Sequence, residues 1–244
     1  MVAQTIKKIL IFLAFSPLLV RAMDIPTQSQ NNPYIDDRLY HFGFSLGINM
    51  MSYRIVESLE PIDGEVYYAR VKTLLPGFSV GLVSDLRLSK YLNLRFLPAL
   101  NFSNRTINYR TASGNPFPVG NAGSSISVLS LPLDFPLFLK WTAVREKNYR
   151  PYFTVGGGMT VDVYRDKQLP VLSKPLDAFV GVGAGCNIYL PWFRLCPEIR
   201  YQVGFNNVIM PVEKRSELQQ QQKFYTQSIS RMYNQMLVII FNFE

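Results

Sequence analysis

Ten charged residues stand at alternating positions within segments that are otherwise rich in apolar residues. Acids and bases arranged in this way could pass a proton or an ion along a relay. They could instead form structural ion pairs, because an unpaired buried charge costs several kcal/mol. We predict the structural network and keep the relay as the alternative. Its members are Asp85, Arg87, Arg95, Asp134, Lys140, Asp162, Asp177, Arg194, Glu198 and Arg200.

The sequence gives little support for catalysis or for phosphate binding. The only histidine is His41, and no serine or carboxylate nearby would complete a catalytic pair with it. The three glycines at 156–158 stand in the middle of an alternating segment with no helix after them, so they do not form a phosphate-binding loop. We therefore predict a protein without catalytic residues, cofactor or metal, although a pair of acting carboxylates remains open.

The two cysteines, Cys186 and Cys196, are ten residues apart across a predicted hairpin. An exported protein can form a disulfide. The alternation of the segments places the two side chains on opposite faces, which favours free thiols. The disulfide stays open as the alternative.

The segments that position these residues share one pattern, shown by "RPYFTVGGGMTVDVYRD" at 150–166. Its odd positions are mostly apolar, from Phe153 to Val163, and its even positions are small, hydroxylated or charged. Such alternation predicts a strand with two different faces. Eight segments follow this pattern, at 41–51, 77–89, 92–103, 127–141, 150–166, 177–190, 192–205 and 233–243.

The connections between the eight segments alternate between short and long. The longer ones cover about 52–75, 108–125, 166–175 and 208–230. Outer-membrane barrels have short periplasmic turns and longer external loops. The chain is therefore predicted to be all-β, an eight-stranded antiparallel transmembrane β-barrel over 38–244 with both termini in the periplasm. Side chains fill the interior of a barrel of that size.

The last long connection is polar and rich in glutamine. Residues 213–225 could form a surface helix there. The connection, at 209–230, could dock a partner protein or remain a solvated loop, and both interpretations stay open.

The start of the chain and its composition indicate export. Residues 1–22 combine Lys7 and Lys8 with a twelve-residue apolar run and a small residue at the cleavage point, which predicts a signal peptide. Residues 23–37 would then be a periplasmic segment. Removal of the signal leaves 22 basic and 17 acidic residues, a net charge of +5, and we expect no nucleic-acid partner. Aromatic residues make up 14% and charged residues only 17%, which favours membrane lipid as a partner.

Several phrases of the sequence resemble the PorT family of outer-membrane β-barrels, found in the outer membrane of the Bacteroidetes type. They are "YHFGFSLGINMM", "LLPGFSVGLVSDLRLSKYLNLRFLPALNFSNRTINY", "ISVLSLPLDFPLFLKW", "YRPYFTVGGGM" and the terminal "IIFNFE". The resemblance covers roughly 38–244. It implies an accessory, non-catalytic role in the type IX secretion pathway, which exports proteases and other cargo with C-terminal sorting domains. Other membrane components of that secretion system would be its partners.

The residues themselves leave two other functions open. One is a structural or adhesive barrel of the small OmpX-like sort, which binds through its external loops. The other is a barrel enzyme or a passage for small solutes. Within the lumen, we expect Asp134→Leu to weaken folding because it would remove a partner from several bases.

Overall fold

The computed structural model describes residues 30–58, 60–62, 66–73, 75–111, 125–165, 169–212 and 223–244. The predicted signal peptide and most of the predicted periplasmic segment lie outside these ranges. No helix among the described residues is long and apolar enough to cross a membrane. A short 3-10 helix covers Ile35–Asp37, and the helix α1 covers Lys223–Gln227. The strands are β1 (Tyr40–Glu57), β2 (Tyr67–Thr73), β3 (Pro76–Arg87), β4 (Leu92–Phe96), β5 (Ala99–Thr111), β6 (Ser125–Ser130), β7 (Pro132–Thr142), β8 (Tyr149–Asp162), β9 (Leu176–Tyr189), β10 (Arg194–Gly204) and β11 (Ile229–Phe243).

The eleven strands form one closed antiparallel ring with eight positions. We call each position a stave, whether one strand or two consecutive strands occupy it. Three staves are interrupted and consist of β2 with β3, β4 with β5, and β6 with β7. The first strand closes the ring because it pairs with β3 on one side and with β11 on the other. The predicted eight-stranded barrel is therefore confirmed. We call the end that carries Asn31 and Glu244 the termini end, and the opposite end the loop end.

The two faces of the staves differ as the alternation predicts. On β11, Leu237, Ile239 and Phe241 are each about 40% exposed on the outer face, whereas Val238 and Ile240 are buried inside. The other staves expose Phe, Leu, Val and Ile outward in the same way. An apolar outer wall is what a barrel presents to lipid.

At the loop end β1 and β5 are longer than predicted, because they continue into the connections expected at 52–75 and 108–125. The strand β2 is an additional strand within the first of these connections. In this part of the barrel the pattern is inverted. Tyr53, Ala69 and Ile107 point inward and are buried, whereas Arg54 and Arg70 are exposed on the outside. A sheet with apolar residues inside and polar residues outside is typical of water-exposed structure. We call this part the loop-end extension.

The inner face of the extension carries an apolar cluster that extends across the barrel. Val171, Val208 and Met232 join it from the connections and from β11, and all three are almost fully buried. We call it the apolar cap. Its side chains are at most 6% exposed, as in the packed core of a protein.

The helix α1 contributes to the same cap. Tyr225 is fully buried and packs edge-to-face on Tyr109, with ring centroids 4.8 Å apart. Burial raises the pKa of the Tyr225 phenol, which therefore stays neutral. Thr226 donates a hydrogen bond to the carbonyl of Pro170 at 2.7 Å. Most of the surface helix predicted at 213–225 lies outside the described residues, and Tyr225 and Thr226 of α1 pack inward.

The glycines at 156–158 have a packing role. A Cβ on Gly158 would stand 2.5 Å from the carbonyl oxygen of Phe135 and 2.7 Å from Cα of Pro136. Glycine is required where two backbones approach so closely. Gly158 thus relieves crowding between the backbones of β7 and β8.

Gly158→Ala is expected to reduce the free energy of unfolding by about 1–3 kcal/mol, because the new methyl group meets backbone that must shift. The measurement is the urea midpoint of the refolded barrel, followed as the folded band on unboiled gels. Gly181→Ala is the matched control, since its nearest atoms stand at 3.1 Å. Equal midpoints for the two variants would contradict the close approach.

Candidate functional site

The charged lumen is centred on Arg95, which is fully buried on β4. Its Nε lies 3.2 Å from Asp85 Oδ2 and its Nη1 lies 3.2 Å from Glu198 Oε2. Its Nη2 pairs with Glu244. The Lys140 ammonium approaches Asp85 at 3.5 Å. One guanidinium therefore connects carboxylates of β3, β10 and the chain terminus across the lumen.

Glu198 makes further contacts in this group of charges. We call the group the ionic cluster, and it consists of Asp85, Arg95, Lys140, Arg194, Glu198, Arg200 and Glu244. Its carboxylate accepts hydrogen bonds from Arg200 at 2.6 Å and from the Tyr152 hydroxyl at 3.0 Å. The Thr154 hydroxyl donates a third at 3.2 Å. Such charge-assisted bonds are the strong ones, and they hold the carboxylate in one geometry.

The N-terminal segment closes the termini end through Asp36. Its carboxylate lies 3.7 Å from Arg145, 3.4 Å from Arg150 and 3.3 Å from Arg194. The Tyr189 hydroxyl donates to the same carboxylate at 2.8 Å. Three guanidinium groups on one carboxylate tie this segment beneath the lumen.

Of the ten predicted lumen residues, eight are buried inside the barrel: Asp85, Arg95, Asp134, Lys140, Asp177, Arg194, Glu198 and Arg200. Asp162 is only partly buried, at the end of β8. Arg87 does not belong to the lumen. It ends β3 at the rim, with 27% of its side chain exposed, and pairs with Asp37 at 3.2 Å.

Four further charged residues belong to the interior. Arg105, Arg150 and Glu244 have the inward parity of their strands, so the alternation could have revealed them. Arg150 begins a predicted segment, and Arg105 and Glu244 lie just beyond the ends of two others. Asp36 lies outside any strand, in the 3-10 helix, and carried no such signal.

Asp134 differs from the ionic cluster. It accepts hydrogen bonds from Asn101 at 2.9 Å and from Thr160 at 2.6 Å, both neutral. Neither Lys nor Arg nitrogen lies within 4.0 Å of it in the described part of the chain. The expected bases are therefore not its partners, and that reason for the effect of Asp134→Leu is wrong.

The histidine and both cysteines of the sequence lie within the described residues. The Nε2 atom of His41 makes its hydrogen bond with the carbonyl of Ile35 at 2.7 Å. Both cysteines are free, with Cys196 buried in the lumen and Cys186 partly exposed, as the opposite faces predicted. Within the described ranges, no group of His, Cys, Asp and Glu could hold a metal ion.

A closed antiparallel ring with an apolar outer wall and a charged, filled interior defines an outer-membrane β-barrel protein. The chain belongs to the family described as "Outer membrane protein beta-barrel domain", whose model matches residues 28–210. Among solved structures it is similar to the outer membrane protein OprG from Pseudomonas aeruginosa. The identity is 12%, the TM-score is 0.44, and the match covers 84% of this chain and 92% of that one. No curated protein matches the sequence.

Glu198→Gln is expected to reduce the free energy of unfolding by about 3–5 kcal/mol, because it leaves buried cations with fewer partners. Arg200 loses the carboxylate that it contacts at 2.6 Å. The measurement is urea unfolding of the refolded barrel in detergent.

Asp134→Asn is the matched control for this variant. It also removes a buried lumen charge, but only neutral partners surround it, so about 1 kcal/mol is expected. An equal loss for both substitutions would show that the ion pairs of the cluster contribute nothing particular.

Proposed function

We propose that the protein is a non-catalytic outer-membrane barrel that conducts no solute through its lumen and acts as an accessory component of protein secretion. The observation that carries the proposal is the closure of the lumen at the termini end. The ionic cluster and Asp36 fill that end, and the apolar cap occupies part of the loop end. A barrel closed in this way acts through its surfaces.

The proposal includes an orientation. Short turns join β8 to β7 and β10 to β9 at the termini end, and the longer connections meet at the loop end. By the rule for bacterial barrels, the termini end faces the periplasm and the loop end faces outward. The loop-end extension then projects beyond the lipid, with exposed Arg54 and Arg70 on its outer face.

Closure of the lumen predicts that the purified barrel forms no steady open channel in a planar lipid bilayer. The buried side chains of the ionic cluster fill the lumen near the termini end and interrupt a continuous water path. The measurement is single-channel current in potassium chloride, with a larger porin in the same bilayer as the positive control. Long-lived current steps from protein that runs as the folded band on unboiled gels would contradict it.

The secretion role is supported by the resemblance to the PorT family, whose pathway is type IX secretion. Deletion of the gene in its parent organism is expected to leave unprocessed cargo with C-terminal sorting domains in the periplasm. The measurement is the location and processing of that cargo, and a plasmid copy of the wild-type gene should restore it.

A second candidate function is a structural or adhesive barrel that binds through its outer loops. The projecting extension favours it, because Arg54 and Arg70 are available there to a partner. The same deletion strain separates the two functions: cargo that reaches the surface normally, together with lost attachment, contradicts the secretion role. Complementation with Arg54→Glu/Arg70→Glu then tests the extension, and Arg38→Glu, exposed at the other end, is the matched control.

A further inference from the structure

A cavity lies inside the barrel between the ionic cluster and the apolar cap. Its volume is about 30 Å³. It reaches the surface beside Lys174 and Pro175, which are both exposed. We call it the acidic chamber because Asp134, Asp162 and Asp177 line it.

The three carboxylates of the chamber differ from those of the ionic cluster. Asp85, Glu198 and Glu244 all have a cation within 4.0 Å. In the described part of the chain, no Lys or Arg nitrogen comes that close to a chamber carboxylate. Charges that are buried in proteins are normally paired, and these three carboxylates have no direct ion pair among the described residues.

Arg105 is the guanidinium that lines the chamber, and it is 2% exposed. Its Nη1 donates to Asn234 Oδ1 at 2.8 Å, its Nη2 donates to Ser130, and it stacks on the Tyr53 ring at 4.1 Å. Its Nε, which is also buried, has no hydrogen-bond partner. A buried donor without a partner costs free energy that an incoming acceptor would recover.

Asn234 keeps Arg105 and Asp177 apart. Its Nδ2 donates to Asp177 Oδ2 at 2.7 Å, while its Oδ1 accepts from Arg105. One neutral amide therefore separates the carboxylate from the guanidinium, and the two do not form a direct ion pair. The charges of Asp177 and Arg105 remain available to a ligand.

Negative charge is in excess in the chamber. Three carboxylates face Arg105 and, at the exposed mouth, Lys174, whose Nζ donates to the carbonyl of Asn207 at 2.7 Å. The chamber residues do not form a metal-binding group, and none exists among the described residues. An ammonium group suits the chamber, because it can donate three hydrogen bonds to carboxylate oxygens.

We propose that the acidic chamber binds a small organic ammonium ion that also carries an oxygen acceptor. The ammonium group lies between Asp134 and Asp177, and the oxygen accepts a hydrogen bond from Nε of Arg105. Access is from the loop end, past Lys174. The ionic cluster blocks the other direction, so the chamber is a binding site and not a passage.

The test is calorimetric titration of the wild-type barrel, folded in detergent, at constant ionic strength. Ethanolammonium carries both features, ethylammonium lacks the oxygen, and ethylene glycol lacks the charge. Saturable binding is expected for ethanolammonium, with ethylammonium about tenfold weaker and ethylene glycol without binding. Absence of saturable binding of ethanolammonium, or equal binding of ethylene glycol, overturns the proposal. Equal competition by sodium or magnesium ions at the same charge concentration would also overturn it, because it indicates a general counter-ion effect.

Variants locate the site. Asp134→Asn and Asp177→Asn should each weaken ethanolammonium binding at least about tenfold, because each removes a buried charge. Asp37→Asn is the matched control, since this carboxylate is 70% exposed at the termini end. Unchanged binding in both chamber variants would exclude the chamber. The comparison of the three probes on the wild-type protein stands even if a variant does not fold.

Discussion

The fold depends on the contact of Arg95 with three carboxylates in the part of the lumen near the termini end. A barrel of eight strands is just wide enough for its own side chains. A charge inside it cannot keep its water shell, so it must meet a partner on another stave. Arg95 on β4 does so with β3, with β10 and with the last residue of the chain. Each pair fixes one stave relative to another across the lumen.

The lumen then divides into three zones along the barrel axis. The ionic cluster occupies the zone near the termini, the acidic chamber the middle, and the apolar cap the loop end. Only in the last zone do the strands extend beyond the lipid. There the inner face of the sheet is apolar and the outer face is polar. Inside the membrane the outer face is apolar because lipid covers it, and the polar side chains of the strands face the lumen. Beyond the membrane, burial of Tyr53 and Ile107 stabilises the sheet as in a water-soluble protein.

The alternation in the sequence was sufficient to predict the staves, their inward parity and residues such as Asp85 and Glu198, because a strand turns every second side chain inward. The same rule placed Arg87 in the lumen, and it failed there because parity does not tell where the barrel ends. The strand β2 escaped prediction for a different reason. Its apolar residues face inward, opposite to the pattern that was sought. The contact of Asp36 with Arg194 joins residues 158 apart, and no local pattern encodes such a distance.

Ion pairs are not required to fill a barrel, because well-packed apolar residues of similar volume are often equally stabilising. The advantage of ion pairs over apolar packing is that they favour one particular register of the strands. Glu244 shows it best, since its backbone exchanges two hydrogen bonds with Arg194 while its carboxylate pairs with both Arg194 and Arg95. The strand that ends there is β11, which closes the ring against β1. A shift of β11 by one residue would turn this carboxylate towards the lipid and leave two guanidinium groups unpaired. The ionic cluster therefore penalises the wrong closure far more than apolar packing could, which accounts for charges at the place where the last strand must find its register.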